Sequence, residues 1–208
     1  MTNEQYHFLL EPYQNASQMM LTRLEVLNHN LYAKDTVCPI HTMQHRLKEK
    51  DSIEEKLERM QLAAGVSNAR DYLLDVAGIR IICYFVGDIY NLAEAVKKQS
   101  DLVVMKERDY IMHPKPNGYR SYHIVVGVPV YYRDTMEYFP VEIQLRTMAM
   151  DFWTSMEHRI CYKKNPADGP ALREEFARYA GLLEGIEEEF EHYNEEKKQG
   201  VRHPFGYG

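Results

Sequence analysis

The fold turns on residues 75–86, which read DVAGIRIICYFV. From Ile79 onward, β-branched and aromatic side chains crowd together with no helical period, the pattern of a buried strand. Arg80 breaks the run at the parity opposite to Ile79, Ile81 and Cys83. A charge in a core strand must be paired or must face a site. Asp75 stands just before the run, and Gly78 permits close approach of backbone or ligand. A structural Asp75–Arg80 pair and a site on the strand's polar face both satisfy these residues.

Working outward, residues 88–99 read as a helix and LVVMKERDY (102–110) as a strand. YHIVVGVPVYY (122–132) and FPVEIQLRT (139–147) are further strands, the last alternating cleanly between apolar and polar. MAMDFWTSMEHRICYK (148–163) returns to helix, and NPADGP (165–170) reads as a loop. Toward the N-terminus, Met20, Leu24, Leu27 and Leu31 mark one face of a long helix over about residues 1–36, ended by Cys38-Pro39. A second helix begins near Ser52, with Ser52 to Glu55 as its capping box and Ile53, Leu57 and Met60 as its buried stripe. Beyond residue 170 the spacing predicts a helix over 171–198, with Phe176, Tyr179, Leu183, Ile186, Phe190 and Tyr193 as a heptad-like seam suited to a partner helix. The expected class is α+β: one domain of 1–208, with a mixed sheet in a 37–170 core and long helices at both ends.

Composition narrows the partners. A formal charge of −6 argues against a nucleic-acid binder held by bulk positive charge, so RNA binding is not indicated. Cys38, Cys83 and Cys161 form no C-x-x-C pair and read as reduced thiols of a cytoplasmic protein. No apolar run is long enough for a membrane span.

Four stretches carry chemistry. Arg46 and Lys48 point the same way in an extended segment, while Ser52, Lys56 and Arg59 lie on one helix stripe. Together they aim cations at one place, as a polyphosphate requires; the ordinary alternative is a solvated face paired with Glu54, Glu55 and Glu58. Glu142, Gln144 and Arg146 share the polar face of FPVEIQLRT. With Asp75 on a neighbouring strand, Glu142 completes a carboxylate pair of the kind that holds Mg²⁺. In KPNGYRSYH (115–123), Asn117-Gly118 makes a turn that projects Tyr119 as a platform for a base, flanked by Lys115 and His123; the alternative is a surface hairpin with a packed tyrosine.

In chain order, these motifs resemble the RelA/SpoT-type synthetase family, in particular the small alarmone synthetases (GTP pyrophosphokinases). They are R-x-K…S-x-x-x-K-x-x-R at 46–59, D-x-A-G-x-R at 75–80, R-D-Y at 108–110, N-G-Y-R-S-Y-H at 117–123, V-E-I-Q-x-R-T at 141–147 and M-D-F-W-x-S-x-E-H at 150–158.

The resemblance implies a nucleotidyltransferase-like fold and transfer of the β,γ-pyrophosphate of ATP to the 3′-hydroxyl of GDP or GTP, with GMP as a further acceptor. It implies that Arg46, Lys48, Lys56 and Arg59 hold the ATP phosphates with Ser52 nearby, and that Arg80 and Arg108 sandwich the adenine. Asp75 and Glu142 hold Mg²⁺ and are the catalytic carboxylates, Glu142 taking the 3′-hydroxyl proton. Tyr119 stacks on the guanine, while Lys115, Asn117, His123 and Gln144 position the acceptor. It also implies a homotetramer. Because no His is followed by Asp, and because the chain stops where the regulatory domains of longer relatives would begin, synthesis without hydrolysis is expected. Rival expectations are a pyrophosphokinase acting on tRNA or adenosine nucleotides, and a non-catalytic nucleotide or RNA sensor on the same fold.

Overall fold

The computed structural model describes residues 1–31, 38–161 and 169–198. Its sheet is built around the strand anticipated at the centre of the sequence. That strand, β2 (Ala77–Cys83), pairs in parallel with β5 (Thr135–Thr147) and antiparallel with β1 (Ile40–Leu47). β4 (Tyr122–Tyr132) lies antiparallel to β5, and β3 (Val103–Asp109) closes the other edge against β4. The order is β1-β2-β5-β4-β3, a five-stranded mixed sheet.

Strand parity divides the two faces. Val141, Ile143 and Leu145 of β5 and Ala77, Ile79, Ile81 and Cys83 of β2 are buried in the main core. Against that face pack α1 (Asn3–Asn30) and α4 (Val86–Lys97). Thr2 caps α1 in a reciprocal box, its Oγ1 accepting from the Gln5 N–H at 3.1 Å while Gln5 Oε1 accepts from the Thr2 N–H at 2.8 Å. The buried stripe of α1 is Leu9, Tyr13, Ala16, Met20 and Leu24. Met20 and Leu24 are therefore core as expected, but Leu27 is only partly buried and Leu31 is exposed. The helix outruns the sheet at its C-terminal end, and residues 32–37 of the expected segment lie outside the described residues.

Three local expectations need correction. α2 (Lys50–Arg59) starts two residues before Ser52, with Glu49 as its N-cap, so Ser52 is an exposed helical residue rather than a cap. Ile53 and Leu57 are buried, whereas Met60, just past the helix, is exposed. A short α3 (Val66–Tyr72), with only Ala69 buried, had no apolar period to announce it. Lastly, Gly169 and Pro170 open α6 (Gly169–Lys198) and are not loop; residues 162–168 lie outside the described set.

α5 (Met148–Cys161) follows β5 directly and packs against α6 through Trp153, Phe176 and Ala180, a second and smaller core. The face that α6 turns inward is displaced from the apolar seam. Ala177, Ala180, Glu184, Glu187 and Glu191 face the protein, and Glu187 is only 7% exposed. Tyr179, Leu182, Ile186, Phe190 and Tyr193 face away, with Phe190 63% exposed. Phe176 and Leu183, the other two seam positions, join the small core. An amphipathic helix that simply covered its own domain would show the reverse arrangement.

Candidate active site

Cross-strand register assembles the site from residues far apart in sequence. Gln44 of β1, Arg80 of β2, Gln144 of β5, His123 of β4 and Arg108 of β3 fall opposite one another in a single row across the sheet. In the adjacent row, Arg46 lies opposite Gly78, and Gly78 opposite Glu142. Directly paired residues share a face, and this face is opposite the main core. A Cβ at Gly78 would meet the Glu142 carbonyl at 3.9 Å and Arg46 Cγ at 4.0 Å, ordinary contacts. The protein alone does not demand glycine there; what it provides is an open floor between Arg46 and Glu142.

On that floor is a cleft of about 250 Å³, lined by Gln44, His45, Arg46, Asp75, Arg80, Glu142 and Gln144 among others. Asp75, in the loop before β2, accepts from Lys48 Nζ at 3.0 Å and pairs with Lys56 Nζ at 2.7 Å, both through Oδ2. Thus two of the cations expected to hold phosphate converge on one carboxylate, Asp75, and neutralise it. Burial pushes the Asp75 carboxyl up, but hydrogen bonds and charge from Lys56 and Lys48 outweigh it and hold the carboxyl below its ordinary value. Its Oδ1 is enclosed with no partner among the described residues, and an orphaned buried oxygen in a charged cleft is a place for an ion or ligand.

Glu142 is the second carboxylate. His123 Nδ1 lies 3.3 Å from its Oε1, and Gln144 Nε2 donates to its Oε2 at 3.0 Å. Burial raises the Glu142 pKa, His123 and Gln144 pull it down, Asp75 opposes them, and the balance lies below the ordinary range. Both carboxylates are ionised at neutral pH. Stability drawn from a depressed carboxyl is present above its unfolded value and is lost as pH falls through the folded one. Thermal melts should therefore show a shallower acid limb for Asp75→Asn than for wild type below about pH 5. Parallel limbs would mean that the Lys48 and Lys56 pairs contribute nothing to the fold.

Arg80 is brought to the cleft as expected, and burial lowers its pKa, with Arg146 and Arg46 adding to the effect and Asp151 opposing it. Its Nε is enclosed without a partner among the described residues. Arg108, exposed on edge strand β3, is three strand intervals from Arg80, about 14 Å at the usual spacing. The guanidinium that shares the cleft with Arg80 is instead that of Arg46. Arg59 lies exposed on the last turn of α2, its Nε donating to the Glu55 carbonyl at 3.4 Å.

The KPNGYRSYH loop does not present Tyr119 freely. Gly118, at φ +90°, donates its N–H to the Lys115 carbonyl at 2.8 Å and closes the turn. Asn117 Oδ1 accepts from the Tyr119 N–H at 3.2 Å, so Asn117 shapes the loop. The Tyr119 hydroxyl lies 2.8 Å from His123 Nε2 and accepts from Arg146 Nη2 at 3.0 Å. Its ring meets Tyr110, His123 and Trp153 edge to face, and exposed Lys115 lies 4.6 Å over the ring.

Sequence reasoning gave no role to Arg146 or to Tyr110. Arg146, buried, also donates to Gln144 Oε1 and pairs with Asp151 at 3.2 Å; Asp151 in turn lies 3.9 Å from Arg80. The signal was available in the parity of FPVEIQLRT, which puts Arg146 on the same face as Glu142 and Gln144. Tyr110 is stacked edge-on against His123 at 5.4 Å.

Two carboxylates, a converging set of cations and an aromatic wall around one sheet face are the groups that a nucleotide-dependent phosphoryl-transfer enzyme needs. Residues 45–167 match the family described as a region found in RelA / SpoT proteins, and the chain belongs to that family. It is 41% identical over 164 residues to GTP pyrophosphokinase YwaC of Bacillus subtilis (strain 168), covering 79% of this chain and 74% of that protein. The small alarmone synthetase 1 of Bacillus subtilis, solved bound to its product pppGpp, superposes with a TM-score of 0.82 at 31% identity, over 93% of this chain and 98% of that one. The same enzyme bound to AMPCPP gives 0.74 at 28% identity, over 94% and 99%.

Proposed function

We propose that the chain is a GTP diphosphokinase: it moves the β,γ-pyrophosphate of ATP onto the 3′-hydroxyl of GDP or GTP, releasing AMP and ppGpp or pppGpp. The observation that carries this reading is the cleft lined by both Glu142, on β5, and Asp75, in the loop before β2, with the Tyr119 loop against Glu142 through His123. A non-catalytic sensor has no need of two ionised carboxylates held below their ordinary values in one cleft.

In the proposed reaction the acceptor 3′-oxygen attacks the β-phosphorus of ATP, its proton passes to Glu142, and the bond from the β-phosphorus to the AMP oxygen breaks. His123 and Gln144 fix the Glu142 carboxylate, so that it meets the hydroxyl without reorganising. Lys48 and Lys56 exchange Asp75 for the triphosphate, joined by Arg46 and Arg59 from neighbouring surfaces. Arg80, with Arg46 beside it, offers guanidinium planes to the adenine. Arg108, at the far end of the same row, remains available to the acceptor side or to a shifted base. Tyr119 offers a ring face to the guanine once Lys115 swings aside, and Lys115 then meets phosphate.

Mg²⁺ fits this donor set. Asp75 Oδ1 is unsatisfied, and Asp75 and Glu142 repel each other across the cleft. No group of three or more His, Cys, Asp or Glu that could cage a metal exists among the described residues, which suits an ion that takes one or two carboxylates and leaves the rest to water and phosphate. When bound, it would supply Lewis-acid stabilisation of charge on the pyrophosphate oxygens.

The reading extends to a single synthetase domain that works in the cytoplasm, synthesises without hydrolysing, and self-associates through the outer face of α6 as a tetramer. Among the described residues no helix is long and apolar enough to cross a membrane. The experiment is direct: incubate purified protein with labelled ATP, Mg²⁺ and, separately, GMP, GDP, GTP, ATP or tRNA, and identify the products. Labelled guanosine 3′-diphosphates are expected. Label transferred only to tRNA or adenosine nucleotides would select the rival enzyme, and none at all the sensor.

Tyr119→Ala tests the acceptor side. Stacking on an aromatic ring is worth roughly 1–3 kcal/mol per base, so the acceptor KM should rise by one to two decades while the ATP KM barely moves. Equal losses for both nucleotides would make the loop structural.

A further inference from the structure

The mechanism leaves Arg120 unused, yet it is among the most heavily engaged cations of the chain. Its side chain is 10% exposed, and it makes two ion pairs to α6: Nη2 to Glu184 Oε1 at 3.1 Å and Nη1 to Glu187 Oε2 at 3.3 Å. It directly follows Tyr119. Two residues earlier, Gly118 lies against the same helix so closely that a Cβ there would stand 2.7 Å from Ala180 Cβ and 2.9 Å from Ala177 Cα. No side chain fits in that gap, and the φ of +90° disfavours one independently. The turn is thus seated on Ala177 and Ala180 and bolted by Arg120 to the next two turns of the helix.

Two further hydrogen bonds hold the helix to the rest of the chain. Trp153 Nε1 donates to the Phe176 carbonyl at 2.8 Å, and the Gly87 N–H donates to Glu191 Oε1 at 3.0 Å. Trp153 also touches Tyr119 edge-on. From α6 a continuous set of contacts runs through Arg120 to the backbone of Tyr119, then from the Tyr119 hydroxyl to His123 and from His123 to Glu142.

We propose that Arg120 is a positioning residue for the acceptor nucleotide: by tying the 115–120 turn to Glu184 and Glu187, it makes the placement of α6 set the pose of Tyr119 and His123, and hence acceptor affinity. The opposite face of α6 carries Leu182, Ile186 and Phe190 outward, so whatever engages that face acts on the acceptor loop through one helix. Burying the Arg120 guanidinium and the Glu187 carboxylate costs desolvation that an apolar seam would not; in return two ion pairs, one from each Nη to a different glutamate of α6, fix direction as an apolar contact cannot. This role for Arg120 rests on Tyr119 serving the acceptor, and the test separates the two.

Steady-state kinetics on Arg120→Ala, on the Glu184→Gln, Glu187→Gln double variant and on Tyr119→Ala would decide it. Arg120→Ala should raise the KM for GDP about tenfold, with the ATP KM within about twofold. The Glu double variant should do the same without truncating any side chain, and combining it with Arg120→Ala should add nothing further. Trp153, the single tryptophan, supplies a readout that general loosening would not mimic: its emission should respond to GDP in wild type, and the response should shift to tenfold higher GDP in the Arg120 and Glu variants. If Arg120→Ala does not fold, the Glu double variant carries the test alone. If Tyr119→Ala raises the acceptor KM while the Arg120 and Glu variants leave it unchanged, Arg120 is not a positioning residue. If Tyr119→Ala leaves it unchanged, the acceptor assignment itself has failed. ATP and GDP constants that rise together in the Arg120 and Glu variants would also overturn the proposal.

Discussion

Glu142→Gln should give a folded protein whose rate of pyrophosphate transfer is down by about a thousandfold, within the range expected for loss of a general base that also contributes charge. The substitution keeps the volume and one oxygen acceptor. Gln144 Nε2 can still donate to that oxygen, and His123 keeps a neighbour. What disappears is the negative charge across the cleft from Asp75, and with it both the proposed proton acceptor and one of the two carboxylates proposed for Mg²⁺. Folding should not suffer, because Glu142 faces the cleft while Val141 and Ile143 on either side of it carry the core. Calorimetric binding of ATP analogue and GDP should remain measurable while turnover is lost. Turnover within about tenfold of wild type would remove Glu142 from the mechanism and leave it a structural partner of His123. The companion variant Asp75→Asn makes a sharper contrast. It frees Lys48 and Lys56 from their shared partner, so nucleotide binding should hold or tighten even as the rate falls.

Much of this site was legible because strand parity is a strict two-residue period. Arg80 out of phase with Ile79 and Ile81, and Glu142 out of phase with Val141 and Ile143, marked a polar face on two strands before any neighbour was known. Parity does not say which strand lies beside which. The placement of Arg108 three strands from Arg80, and of Arg46 beside it, depends on the order β1-β2-β5-β4-β3, which is set by crossover connections no local pattern encodes. The start of α2 was misjudged for a different reason. Ser52 to Glu55 is a sound capping pattern, but Lys50 and Asp51 are just as able to begin a helix, and the helix starts after an extended Glu49 with no side-chain cap bond. α3 was invisible because seven residues with one buried Ala carry no period. The reversed polarity of α6 could not be read from its seam at all: apolar residues at heptad spacing locate a contact face without saying whether its partner is the same chain.

The largest structural effect is expected on that face. Ile186→Asp with Phe190→Asp should convert an oligomeric wild type, a tetramer by our reading, into monomers. Burial of apolar side chains on association is worth about 25 cal/mol per Å², and Ile186 and Phe190, at 52% and 63% exposed in the single chain, have much to gain. Placing a carboxylate at each position inverts that gain and sets like charges against each other wherever copies of α6 meet. Choice of position matters. Leu183 belongs to the same heptad but packs with Trp153 and Phe176, so a charge there would damage the subunit before it could report on assembly. Ile186 and Phe190 lie outside that cluster, and the variant should keep its helical circular dichroism and its Trp153 emission. Light scattering measures the mass of each. A monomeric wild type would refute self-association through α6, and a folded variant of unchanged mass would move the interface elsewhere. If monomers form and the acceptor KM rises with them while the ATP KM does not, the outer and inner faces of α6 are coupled, and the contacts with Gly118 and Arg120 are the route that joins them.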